Sequence, residues 1–324
     1  MKIPHLVLVF CCALATVAHA DTWNPSRNVE IVVPAAPGAS FDITGRTVQR
    51  ILQDEKLIDA TSMVVNKAGG GGRIGMTYLS QHPGDAHMLS ILTPGLLSNH
   101  ILGNSPFNYT DFTPIAMLFA EYMTFAVQPD SRLKSLSDMA AALRKDPSSL
   151  SIAVATSRGG ALHTAVAIAM KAAGIDVRKL KIVVFNANSE SVTALLGGHV
   201  DIAVSPPLTI RPHLQSMKAR VIAISSPRRL GGVFAQVPTW REQGVNATFA
   251  SWRGIMAPKG VTATQVKYWE QVLGRLSTAD AWKADVERNL WEVNYLTGSE
   301  LRRYVDSQYD ELKHILIELD LAKP

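Results

Sequence analysis

From residue 29 almost to its end the chain repeats one local pattern. A short apolar run rich in β-branched residues is followed by a loop of Gly, Pro and small polar residues, then by a stretch with helical spacing of apolar residues. The run VEIVV at 29–33 is nearly continuous rather than strictly alternating, which marks a strand buried on both faces. Similar runs at 63–65, 88–93, 151–155, 181–185, 201–204 and 221–224 predict further strands, and 119–128 predicts a longer one. Helical spacing covers 42–52, 74–81, 137–145, 161–173 and 189–196, with closing helices at 261–275, 279–289 and 298–319. Such units predict an α/β fold of mainly parallel sheets with helices on both faces. Ligands of these sheets sit at the carboxyl ends of strands, where loops meet helix starts. Four loops qualify: 34–42, 93–98, 156–163 and 185–190.

At 324 residues the chain exceeds what one core usually holds, so two lobes are expected, and its 47% hydrophobic content argues against disorder. Residues 1–20 read as a secretory signal peptide. Lys2 supplies the positive start, the apolar run 6–14 is too short to span a bilayer, and Ala18-His19-Ala20 offers small residues for cleavage after Ala20. A retained anchor and a lipid-modified Cys11 are rival readings, the second weakened by Phe10, where lipidation wants a small residue. Cys11 and Cys12 both lie in this segment, so a mature chain has no cysteine for a disulfide, a nucleophile or a metal site. The formal charge of +5 is scattered, with no basic run interleaved with aromatics, which sets nucleic acid aside as a partner.

The first loop runs from Pro34 through Ala36, Gly38, Ala39 and Ser40 to Asp42. Gly38 permits a turn with positive φ, and Ser40 suits a helix N-cap. Free amides at a helix start attract anions; an ordinary capped turn is the equal alternative. Residues 70–75 (GGGRIG) fit a dinucleotide fingerprint, but the following strand lacks the acid that such a site requires. No cofactor is expected. The loop Thr156-Ser157-Arg158-Gly159-Gly160 offers hydroxyls, amides and a guanidinium that either grips a carboxylate or points to solvent. The histidines show no metal-ligand spacing, and His163 reads first as a helix-packing residue. There is no nucleophile elbow and no strong catalytic triad.

Several collinear stretches resemble the periplasmic receptors of tripartite tricarboxylate transporters, the Bug proteins. They are Val32-Val33-Pro34 with Pro37-Gly38 and Asp42; Asn66 with Gly69 to Gly72 and Ile74-Gly75; Leu195-Leu196-Gly197-Gly198-His199-Val200-Asp201; Val237-Pro238-Thr239; and Ser251-Trp252 with Ala257-Pro258-Lys259-Gly260. The resemblance implies a two-lobed periplasmic binding protein, a Venus-flytrap clamshell of type II-like topology. Lobe 1 would comprise 21–124 and 250–324, and lobe 2 would comprise 125–249, with crossover strands near Phe125 and near 249–252. It further implies capture of a carboxylate by backbone amides and water, at Ala36, Gly38, Ala39 and Ser40 on one lobe and Thr156, Ser157, Gly159 and Gly160 on the other. Thr93, Pro94, Gly95 and Phe185 would complete the wall. The sequence departs from the family pattern at Ala39, at Arg158, at Ser205 (followed by Pro206-Pro207) and at Arg253 after Trp252. An acid lost at Ser205 and two arginines gained lead us to expect a ligand with a second anionic group.

The expected function is therefore a monomeric periplasmic solute-binding receptor, not an enzyme, that delivers a small organic carboxylate to a membrane permease. A receptor feeding a sensor kinase and, further off, an enzyme using Ser157 or His163 are the rival readings.

Overall fold

The computed structural model describes residues 23–322. The signal-peptide reading, the cleavage after Ala20 and both cysteines lie outside the described residues. The first half of the chain supplies β1 (Val29–Val33), α1 (Ser40–Asp54), β2 (Ser62–Asn66), α2 (Arg73–Ser80), β3 (Met88–Leu92), α3 (Pro94–Ile101) and β4 (Phe112–Glu121). The middle supplies β5 (Thr124–Val127), α4 (Leu136–Lys145), β6 (Ser151–Ala155), α5 (Ala161–Ala172), β7 (Lys181–Phe185), α6 (Asn188–Leu196), β8 (Ile202–Ser205), α7 (Pro207–Gln215) and β9 (Arg220–Ile224). The chain closes with β10 (Ser251–Pro258), α8 (Ala263–Thr278), α9 (Asp280–Asn289), β11 (Glu292–Thr297) and α10 (Gly298–Glu318).

Two mixed sheets result. One has the order β11-β4-β10-β3-β1-β2, the other β7-β6-β8-β5-β9. The strand–loop–helix units give the parallel parts, β2-β1-β3 and β7-β6-β8. The strands entered on crossing between sheets, β5 and β10, run antiparallel to both of their neighbours. The expectation of mainly parallel sheets is thus corrected at one interior strand of each, where the chain arrives from the other sheet instead of from a helix. The single strand expected at 119–128 is likewise divided at Tyr122-Met123, with Glu121 ending in one sheet and Thr124 beginning in the other.

Each sheet is covered on both faces. In β1, Val29, Ile31 and Val33 face α1, α8 and α9, whereas Val32 faces α2, α3 and α10, as the two-residue period requires. Around the second sheet, α4 and α5 cover one face and α6 and α7 the other. Helix α10 belongs to both cores: Leu301, Val305 and Leu312 pack with the first sheet, and Ile315 and Leu316 with the second. Ser225 ties the two crossings together. Its hydroxyl accepts from the Met123 N–H at 2.9 Å and donates to the Phe249 carbonyl at 2.6 Å.

Candidate ligand-binding cleft

The carboxyl ends of the parallel strands in both sheets open onto one cleft of about 710 Å³. Several helix starts reach it; those of α1, α5 and α6 have Ala39, Gly160 and Ala187 at the N-cap, none with a side-chain cap, whereas α3 is capped by Thr93. Side-chain caps occur elsewhere, Ser135 on α4 and Thr262 on α8, although α9 and α10 also start without one. Forgoing a cap costs about 1 kcal/mol per helix, so three uncapped starts around one cavity leave amides and positive dipole ends available to an anion.

The loop at Thr156 is strained. Thr156 has φ +74°, and the Ser157 N–H bonds back to the Ala155 carbonyl at 3.1 Å. That is a γ-turn of the unfavourable hand, held by a β-branched residue. It points Thr156 and Ser157 into the cleft. Opposite, Gly69 to Gly72 all have positive φ, and this glycine loop with Arg73 forms part of the wall.

The cleft floor carries charge. Ser251 and Arg253 on β10 share a face, and Ser251 pairs with Glu121 on β4. Arg253 Nη2 lies 3.6 Å from Glu121 Oε2, the two residues being only 5% and 4% exposed. Nη1 donates to Ser251 Oγ at 2.8 Å and to the Trp252 carbonyl at 3.1 Å. The Phe41 ring covers the guanidinium at 4.8 Å. Arg253 Nε is buried without a partner. Burial pushes the Glu121 carboxyl up, opposed by the Arg253 charge and a Trp291 hydrogen bond; burial pushes Arg253 down, opposed by Glu121. A bulge between Arg253 and Gly254 shifts the register directly after this pair. Among the described residues no three His, Asp or Glu side chains cluster as a metal site, and no helix is long and apolar enough to cross a membrane.

The model of the tripartite tricarboxylate transporter family receptor matches residues 46–321. The chain belongs to this family. The receptor is 27% identical over 259 residues to protein BugT of Bordetella pertussis, covering 78% of this chain and 77% of that one. It is 28% identical over 247 residues to the UPF0065 protein of the tcbD-tcbE intergenic region of Pseudomonas sp. strain P51, covering 75% and 71%. Its fold matches the R. palustris protein Rpa4515 with adipate at TM-score 0.79 and 20% identity, over 92% of this chain and 99% of that one. It also matches the periplasmic binding protein BugD at TM-score 0.76 and 23% identity, over 93% and 100%. The receptor therefore has the two-sheet α/β fold of periplasmic solute-binding proteins, as the motifs implied.

Among the residues singled out from the receptor's sequence, Ala36, Ser40, Thr93, Pro94, Gly95, Thr156, Ser157, Gly160 and Arg253 line the cleft. The other residues do not line it, and Ser40, which does, occupies a different helix position from the one expected. Ser40 is the first helical residue and not the N-cap, which is Ala39. The Gly38 N–H donates to Asp42 Oδ2 at 2.7 Å, and the Ala39 N–H to the Ala36 carbonyl at 3.2 Å, so both amides are engaged within the loop. Asp42 is buried, bonded also to Arg46 and Asn66, and serves as the loop's internal anchor. Arg158 turns away to the Ile182 carbonyl at 3.3 Å, since that acceptor lies within its reach on the sheet edge. The Gly159 N–H donates to His163 Nδ1 at 2.9 Å, which uses up both groups. Phe185 lends its carbonyl to the Thr156 N–H at 2.8 Å. Ser205 is fully buried behind the wall, its hydroxyl without a partner, and Trp252 points into the first core towards Gln308. Sequence reasoning missed Glu121, Arg73 and Asn99; it reached Phe41 and Asn188 only as members of the selected loops, and Gly69 to Gly72 only as a family motif, yet all of these line the cleft.

His163 makes one prediction. Burial, and then the Arg158 charge, lower its imidazole from 6.5 to about 4. Between those values the unfolded chain binds a proton that the folded chain refuses, so stability is complete above pH 6.5 and falls as pH drops towards 4. The total is about 3 kcal/mol. His163→Gln should flatten this part of the curve of urea-unfolding free energy against pH; an undiminished slope would exclude the assignment.

Proposed function

We propose that the chain is an extracytoplasmic receptor that captures a small organic carboxylate between two lobes and delivers it unchanged to a tripartite tricarboxylate-type permease. The lobes divide as 21–124 with 250–324, and 125–249. The carrying observation is the convergence of three uncapped helix starts from both sheets on one cleft. Their free amides suit a carboxylate, and their placement on opposite walls lets one ligand bridge the lobes. The protein of similar fold solved with adipate supports the ligand class. The cavity volume is ample for an acid of that size with ordered water. Calorimetric titration with dicarboxylates, monocarboxylates and their amides should give saturable binding by at least one member, accompanied by a rise in Tm. If no carboxylate across these series binds, the reading is wrong.

A further inference from the structure

We propose that Glu121 and Arg253 set the specificity of this cleft by selecting carboxylates whose second polar group is uncharged and both donates and accepts hydrogen bonds, such as a carboxamide or hydroxyl, over dicarboxylates. The inference rests on the carboxylate-receptor reading and deepens it. It reverses the sequence-level expectation of a second anionic group. That expectation counted two arginines and no acid. One of the arginines, Arg158, bonds away from the cleft, and the other faces an acid placed by a different strand.

The geometry leaves the pair incomplete. At 3.6 Å the contact is an ion pair but longer than a good hydrogen bond, so each partner keeps unfilled capacity. Arg253 has committed Nη1 to Ser251 and Trp252, while Nε has no acceptor. Both residues reach the cleft surface. Across the cleft Asn188 is a second buried group with its side-chain oxygen unpartnered. Buried polar atoms without partners are costly, and their grouping around one cavity points to a ligand that completes them.

Charge then decides which ligand. The pair is neutral as it stands. A second carboxylate on Arg253 Nε would put two anions around one buried cation, and like charges at such range repel strongly where water is excluded. An ammonium on Glu121 would leave the opposite excess. A carboxamide gives its oxygen to Arg253 and its N–H to Glu121, and a hydroxyl does the same with one atom, so both vacancies close with no net charge added.

The test titrates the purified protein at pH 7 with the α,ω-dicarboxylates from succinate to suberate, each against its own monoamide. The expected result is that the best-bound monoamide exceeds its diacid by about tenfold or more. In Glu121→Gln, whose Arg253 lacks an internal counter-ion, the order should reverse. A wild-type preference for the diacid overturns the proposal, and so does a ratio that is the same in wild type and in folded Glu121→Gln. Should that variant fail to fold, the wild-type ratio decides alone. Silence of both series would sink the carboxylate reading itself, whereas binding with the wrong ratio sinks only this inference.

Discussion

Replacing Arg253 with Met is expected to lower the free energy of unfolding at pH 7 by about 3–5 kcal/mol, the cost of leaving one member of a buried ion pair alone. Glu121 would keep its burial and lose the charge that opposes its rise in pKa. It must then either stay ionised without compensation or take up a proton. The double variant Arg253→Met with Glu121→Leu should recover most of the loss, because an apolar pair of similar volume removes the desolvation cost from both sides. Urea unfolding of the two single variants and the double variant measures the coupling. A loss below about 1 kcal/mol in Arg253→Met would mean that the pair behaves as a solvated surface bridge.

Gly254→Ala is expected to be as damaging, by a purely steric route. A Cβ at Gly254 would lie 2.4 Å from the Ala116 carbonyl oxygen, a backbone atom of β4 that cannot swing aside. β10 and β4 are neighbours in the middle of the first sheet, so separating them breaks a ladder at the centre of its core. The same step holds the bulge that follows Arg253, so any fraction that folds should also bind ligand more weakly. Thermal unfolding should show a Tm lower by many degrees, consistent with a loss of about 3 kcal/mol or more. A Tm unchanged from wild type would show that the strands part at little cost.

The alternating units of the sequence made the parallel halves of both sheets and most helices legible, because continuous β-branched runs followed by Gly or Pro have few other uses. The residue pattern alone does not mark the reversed strand β10; only the family resemblance puts a crossover near 249–252. Its sequence SWRGIMAP mixes a charge, a glycine and a proline, and only the finished sheet shows that Arg253 is neutralised by Glu121 and that Gly254 meets a neighbouring backbone. Glu121 hid inside an apolar run that reads as one strand. Helix α3 falls in a stretch whose apolar spacing reads as a loop, although Thr93-Pro94 carries a start signal, a Thr N-cap with Pro at the first helical position. The glycine stretch 69–72 fails as a dinucleotide motif and otherwise counts only as a family motif. Its second use, as a backbone wall, left no signature beyond glycine itself. For the first loop, family motifs pointed to the right segment but not to which amides were free, since Asp42 had already claimed that of Gly38.

Helix α10 has a bearing on how such receptors can be recombined. Its 21 residues run about 31 Å, long enough to be rooted in one hydrophobic core and to end in the other. The two cores therefore share an element, even though each has its own sheet. A chimera that exchanged the middle segment between two relatives at the crossings would carry one parent's sheet against the other parent's Ile315 and Leu316. The terminal helix would have to be split between parents midway along its length for both cores to keep their own partners.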